Sequence, residues 1–303
     1  MALETKSRAI VLHTTRQGDS SLVVHVLDAT AGRQSLFLRG LGKSRSGSAA
    51  AAFHPLNVLE VVTAATPRSS LLYLREYEPV FSLNSLRTDI RRSATAQFVC
   101  EVLWRTLRTG DGDPELFTWL VEGILALDRF PSRSGMTGGV ANFAAWWLVG
   151  FSARMGFKPE DNWSEETPAF DIVSGRFQPD SGLFASRGQK EPDGESALRK
   201  QDLRQAGTEE AGEVFPARRD SSRLLSRRSE NRAGSSSVQI FSLEESLLLH
   251  RLLTGSFEEA MALPLSAARR SAFSRRMLDY LSYHLGQSLD IRSLDVLHAV
   301  FAE

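Results

Sequence analysis

Apolar residues in the first eighty positions fall in short runs rich in Val, Ile and Leu, at 7–12, 22–28, 33–39, 56–64 and 71–78. Turn residues separate them: Gln17-Gly18-Asp19-Ser20, Ala31-Gly32, a Gly/Ser-rich stretch at 40–48, and Thr66-Pro67-Arg68. Five short strands with no long helix between them predict a small closed barrel. Alternate positions are too polar for a parallel sheet buried on both faces, which argues against a dinucleotide-binding fold.

After Pro79 the spacing becomes helical. Ser85 is the expected cap of a helix running to about 108, with Leu86, Ile90, Phe98, Val102 and Leu103 on one stripe. Asp113-Pro114 supplies a cap followed by proline at the first helical position, and that helix carries Leu116, Leu120, Ile124 and Leu127 inward. The segment 140–155 is apolar almost all round and reads as the central helix of an all-α domain, ended by Gly156. Ser242 to Glu245 and Ser256 to Glu259 are capping-box patterns. A longer helix is expected from about 266 to 285, stopped by Gly286, and Ser293 is the expected cap of a last one reaching Phe301. Periodicity is lost over about 187–237, a stretch dense in Arg, Glu, Gly, Ser and Gln that reads as a disordered insertion. The expected organisation is therefore a barrel at 1–80 and a helical domain at 81–303.

Composition narrows the function classes. The chain has 303 residues, 42% of them hydrophobic, enough for a packed core. Lys plus Arg and Asp plus Glu are 36 each, so any nucleic-acid-binding surface must be a local basic face. A single cysteine, Cys100, excludes an internal disulfide and any cysteine-rich metal site. Residues 1–13 show no leader pattern, and no run approaches the ~20 apolar residues of a membrane helix, so neither a leader nor a membrane span is expected.

Signatures of catalysis are weak. Gly42-Lys43-Ser44 ends like a phosphate-binding loop, but Phe37 stands where the motif needs its first glycine. The six histidines form no metal-ligand pair, and His25 reads as a satisfied barrel histidine. There is no Gly-x-Ser-x-Gly elbow, and no carboxylate cluster spaced for a nuclease metal site. No enzymatic activity, cofactor or metal is expected.

The third strand is more informative. Alternation puts Arg33, Ser35, Phe37 and Arg39 on one face and Gln34, Leu36 and Leu38 on the other. Lys43 and Arg45 follow, and no acidic residue occurs from 29 to 59. The fifth strand aligns Tyr73, Arg75 and Tyr77 in the same way. Arginine neutralises phosphate and an aromatic ring offers a stacking surface, so this is a candidate DNA-binding face; the rings are equally readable as packing residues. The candidates are Arg33, Phe37, Arg39, Lys43 and Arg45, followed by Arg8, Arg16, Arg68 and Arg75. In the helical part the doublets Arg91-Arg92, Arg269-Arg270 and Arg275-Arg276, with Arg154 and Lys158, could receive phosphate or an acidic peptide, though most such arginines only solvate a face. The second half of the insertion is basic (Arg218, Arg219, Arg223, Arg227, Arg228, Arg232); the near-balance of charge over the whole insertion favours a spacer over a DNA-binding arm.

These residues carry a resemblance. The opening, Ser7-Arg8-Ala9-Ile10-Val11-Leu12-His13-Thr14 followed by Gly18-Asp19-Ser20-Ser21-Leu22-Val23-Val24-His25-Val26-Leu27, resembles the start of the bacterial recombination mediator RecO family. So do Gly32-Arg33-Gln34-Ser35, Arg39-Gly40 and Lys43-Ser44. Phe170-Asp171, Gly175-Arg176-Phe177, Tyr280-Leu281-Ser282-Tyr283-His284-Leu285 and Ile291-Arg292-Ser293-Leu294-Asp295-Val296-Leu297 look alike as well. The likeness spans nearly everything outside the insertion. It implies an N-terminal OB-fold, an α-helical C-terminal domain and no catalytic chemistry. It also implies binding of single- and double-stranded DNA, ATP-independent strand annealing, and loading of RecA with RecR onto DNA covered by single-strand-binding protein (SSB). The acidic, Phe-ending C-terminal tail of SSB is the implied partner of the helical domain. A cytoplasmic, nucleoid-associated location is implied. Some members hold zinc through four cysteines after the central helix; 155–184 has none here, so that site is not expected. The competing reading is a non-enzymatic interaction scaffold whose main role is binding protein partners.

Overall fold

The computed structural model describes residues 3–18, 20–39, 51–66, 69–110, 112–131, 138–180 and 240–302. Five strands, β1 (Leu3–Arg16), β2 (Ser21–Asp28), β3 (Gly32–Arg39), β4 (Val58–Thr66) and β5 (Ser69–Pro79), close into a barrel of order β1-β2-β3-β5-β4. β1 closes it: its first half pairs with β4 and its second half with β2, with a bulge between Val11 and His13. All pairings are antiparallel except β3 with β5, where Leu36 lies opposite Leu72 and Phe37 opposite Tyr73. This is the small closed barrel expected from the strand pattern, and it is OB-like, as the family resemblance implies. β4 starts at Val58 rather than at 56, because buried Leu56 takes a left-handed φ of 65° while its amide donates to the Val11 carbonyl at 2.8 Å.

The two faces of the barrel sheet have different fates. Ala9, Val11, Val24, Val26, Leu36, Leu38, Leu59, Val61 and Leu74 fill the interior with Phe53. Ile10, Leu12, Leu27, Leu56 and Val58 belong instead to the core of the helical part. Part of the outer barrel face is thus roofed by helices, which makes the two parts one continuous packed body.

The helices are α1 (Asn84–Thr88), α2 (Ile90–Thr106), α3 (Pro114–Arg129), α4 (Phe143–Arg154), α5 (Leu243–Thr254), α6 (Phe257–Ala262), α7 (Ala267–Leu285) and α8 (Ser293–Val300). Asp113 caps α3 through the amides of Glu115 and Leu116, and Leu116, Leu120, Ile124 and Leu127 are buried as the stripe requires. Both capping boxes form, at Ser242/Glu245 and Ser256/Glu259. α4 is preceded by a 3-10 turn, Gly139–Asn142, and buries Phe143, Trp147, Leu148 and Phe151.

Three expectations are corrected. The helix from 85 to 108 is two helices, because Asp89 is extended and uses its carboxylate to cap Arg91. The break turns Ile90 outward, where it is 72% exposed. The Arg91-Arg92 doublet is not a surface pair: Arg92 is buried and donates to the carbonyls of Leu127, Asp128 and Phe130, closing the C-terminus of α3. Ser293 does not cap α8 from its own side chain; Glu101 of α2 accepts from the amides of Arg292 and Ser293 and from the Ser293 hydroxyl. A hairpin of β6 (Ala169–Asp171) and β7 (Arg176–Gln178) escapes the hydrophobic pattern because each strand is three residues long. The insertion and the Gly42-Lys43-Ser44 string lie outside the described residues. No described helix is long and apolar enough to cross a membrane.

Candidate nucleic-acid interface

Alternation in β3 places Leu36 and Leu38 in the barrel and Phe37 and Arg39 outside it. The parallel register sets Phe37 beside Tyr73 of β5. Their rings meet edge to face with centroids 5.8 Å apart. The Arg39 guanidinium lies 5.4 Å from the Phe37 ring centre and 5.1 Å from that of Tyr73, and its Nη2 donates to the tyrosine hydroxyl at 3.3 Å. Arg75 approaches the Tyr73 ring at 5.8 Å. Both arginines are exposed and neither has a carboxylate partner among the described residues. Two half-buried rings flanked by two unneutralised cations can accept a stacked base and its phosphate without reading sequence.

Tyr77 does not join them. The β4–β5 register slips between Val62 and Thr63, so that Glu76 pairs with Val62 but Leu74 with Thr63, leaving Arg75 as the extra residue. One extra residue reverses the faces beyond it. Tyr77 therefore packs toward the barrel core against Phe53, centroids 4.6 Å apart.

The other sequence candidates go elsewhere. Arg33 lies on the same outer face but over the ring of Trp104, 4.1 Å from its centre, and donates to the Trp104 carbonyl. Arg8 sits 3.8 Å from Glu60, which also holds Lys6 at 3.0 Å. The hydrogen bond and charge of Lys6 hold the Glu60 carboxyl below its ordinary range. Arg16, paired with Leu22, is exposed at the end of β1 on the face opposite Thr15. Lys43, Arg45 and Arg68 lie outside the described residues. Among the helical arginines, Arg269 pairs with Glu244, Arg275 with Asp295 and Arg276 with Glu245.

Sequence reasoning missed a group beside the candidate face. His13 and His25 are directly paired across β1 and β2, and their rings stack with centroids 4.1 Å apart. Trp104 of α2 meets both edge-on, at 4.5 and 4.9 Å. His25 is hydrogen-bonded as expected, through Nδ1 to the Ser35 hydroxyl at 2.8 Å, but outside the barrel. Burial, with the charges of His25 and Arg33, pushes the His13 imidazole down to about 4; burial and Arg33 lower His25 as well. Both rings are therefore neutral at pH 7. Among the described residues no three His, Cys, Asp or Glu side chains are grouped to hold a metal ion.

A closed OB-like barrel with an aromatic, cationic outer face, continuous with an α-helical region, is the class of protein this geometry defines. The family model described as Recombination protein O N terminal matches residues 1–83, and the one described as Recombination protein O C terminal matches 87–196. The chain belongs to the RecO family. It is 31% identical over 173 residues to the DNA repair protein RecO of Phocaeicola vulgatus, covering 57% of this chain and 69% of that one. Its counterpart in Christiangramia forsetii is 28% identical over 179 residues, 59% and 71% of the two chains. The protein of the same description in Azobacteroides pseudotrichonymphae is 21% identical over 296 residues, 98% of each.

Proposed function

We propose that this protein acts in DNA repair and recombination as a mediator without catalytic chemistry of its own. The barrel, residues 1–80, is the DNA-binding unit, and the helical part, 81–303, serves protein partners. DNA lies on the outer face of β3 and β5, against Phe37, Arg39, Tyr73 and Arg75. Arg33, Arg8, Arg16 and the basic residues Lys43, Arg45 and Arg68 add positive field around it. Single and double strands both bind, chiefly through phosphate, so affinity falls with salt. Two strands held with their charge screened and their bases accessible anneal without ATP. With RecR the protein helps RecA onto single-stranded DNA covered by SSB, whose acidic tail docks in the helical part. It works in the cytoplasm, on the nucleoid.

The observation that carries this reading is the pair of arginines around the Phe37–Tyr73 rings that have no carboxylate partner among the described residues. The membership of the RecO family supports the biological role. Annealing of complementary fluorescent oligonucleotides without nucleotide, from about 50 to 200 mM salt, tests it. Salt-sensitive annealing that is lost in a folded Arg39→Glu/Arg75→Glu variant supports both the role and the face. Annealing retained in that variant moves the DNA site to the helical part or the insertion. Failure of the wild type to bind or anneal DNA leaves the protein-scaffold reading.

A further inference from the structure

The outer face of β1, β2 and β3 divides into three bands. At one end Ile10, Leu12 and Leu27 are buried in the helical core. At the other, Thr15, Val23, Phe37 and Tyr73 follow one another across four strands through direct pairing. Between them runs the row His13, His25, Ser35, one pairing step nearer the helices. Trp104 and the Arg33 guanidinium border that row from the helical side.

We propose that His13, His25 and Trp104 form a second base-stacking station for single-stranded DNA, continuous with the Phe37–Tyr73 face. It rests on the reading of that face as the DNA site. Two residues along a strand span about 7 Å, so the station is within reach of the next nucleotides of a strand bound at Phe37. All three rings are half-buried, so each presents some surface to solvent. The imidazoles are held in place: His25 bonds Ser35 at 2.8 Å and Thr15 at 3.4 Å, and His13 stacks on it. A rigid, uncharged ring pair loses little freedom when a base settles on it. Arg33 is the charged neighbour that both rings feel, and its guanidinium is placed beside the track for a backbone phosphate.

The adjacent row, Ile10, Leu27 and Arg33, closes against the helices with two buried aliphatic side chains and the arginine laid over Trp104. Burial and Arg33 disfavour the charged form of both imidazoles, so they stand at the seam as neutral rings. A neutral ring pair suits a ligand with a π face.

The test is anisotropy titration of labelled oligo-dT and of a duplex of equal length, across salt, with four proteins. These are the wild type, His13→Leu/His25→Leu, His13→Phe/His25→Phe, and Phe37→Ala/Arg39→Ala. The leucine variant is expected to bind the single strand at least about fivefold more weakly, the lower end of what one stacked base supplies. Its salt slope stays unchanged, because no cation is removed, and duplex binding is spared. The phenylalanine variant, which restores rings, is expected to recover affinity. Undiminished single-strand binding by the leucine variant, or an equal loss on duplex, overturns the station. If Phe37→Ala/Arg39→Ala also binds normally, the underlying reading of the face fails instead. A readout that needs no variant is photo-crosslinking of 5-iodouracil oligonucleotides to the wild type. Adducts on His13, His25 or Trp104 support the station. Adducts confined to Phe37 and Tyr73 count against it.

Discussion

Phe37 and Tyr73 lie opposite each other in the one parallel pairing of the barrel, and Arg39 spans both rings. They are 36 residues apart in sequence, and only closure of β3 onto β5 joins them. The arrangement separates two kinds of contribution to DNA binding. Arg39→Ala and Arg75→Ala each remove one phosphate-neutralising cation, so each is expected to flatten the slope of log affinity against log salt by about 0.7 for single strands. Phe37→Ala removes a stacking surface worth about 1–3 kcal/mol, and it is expected to weaken binding at every salt concentration without altering the slope. Salt-dependent titration of a labelled oligonucleotide reads both effects.

Arg92 makes a prediction about stability. Its buried guanidinium serves the carbonyls of Leu127, Asp128 and Phe130 and the Asp89 carboxylate. Arg92→Ala leaves the buried Leu127 carbonyl and two part-buried ones without this donor, and a fully buried acceptor so stranded costs about 1–3 kcal/mol. Urea unfolding is expected to show a loss of at least about 2 kcal/mol. Arg91→Ala, at an exposed neighbour, is expected to change little.

Glu101 ties α2 to the start of α8. Burial raises its carboxyl, but the hydrogen bonds from the Ser293 hydroxyl and from the amides of Ser293 and Arg292 outweigh that and leave it below its ordinary value. A carboxylate lowered in the folded state stabilises fully above its unfolded value, and that contribution is lost as pH falls through the folded one. Glu101→Ala is therefore expected to cost about 0.5–2 kcal/mol at pH 7, as other lost caps do. The gap between the two proteins should close below about pH 4. Thermal melts of both from pH 7 to 3 check this.

His13 acts with the opposite charge and in a different window. Its imidazole is lowered from 6.5 to about 4, with His25, Arg33 and Trp104 packed around it. Between those values the unfolded chain binds the proton and the folded one does not, so stability falls as pH drops from about 6.5 to about 4. His13→Gln is expected to flatten that limb of the stability curve. If wild type and variant lose stability in parallel across the window, His13 does not contribute to it.

Much of this architecture is local, and local signals are legible in a sequence. The five strands follow from apolar runs punctuated by turn residues, and the starts of α3, α5, α6 and α7 follow from Asp113, Ser242, Ser256 and Ser266, each of which caps the helix it precedes. The outward set Phe37 and Arg39 follows from alternation, whose period is two wherever the strand is regular. That period fails at a bulge, which leaves no mark in composition. The extra residue at Arg75 therefore turned Tyr77 into the barrel, and the bulge in β1 at Leu12 shifted the register that sets His13 opposite His25.

What remained belongs to tertiary structure because it joins residues distant in the chain. An arginine looks the same in sequence whether it ends on a tryptophan, on three helix carbonyls or across two rings of the barrel's outer face, and Arg33, Arg92 and Arg39 took these three fates. The cap of α8 came from Glu101, nearly two hundred residues away, where the sequence offered Ser293. Trp104 could be read as a helix residue but not as the border of a barrel face, since only the docking of α2 on Ile10, Leu12 and Leu27 brings it to the two histidines. Periodicity reports which side of its own element a residue occupies; what that side meets is decided by how the elements pack.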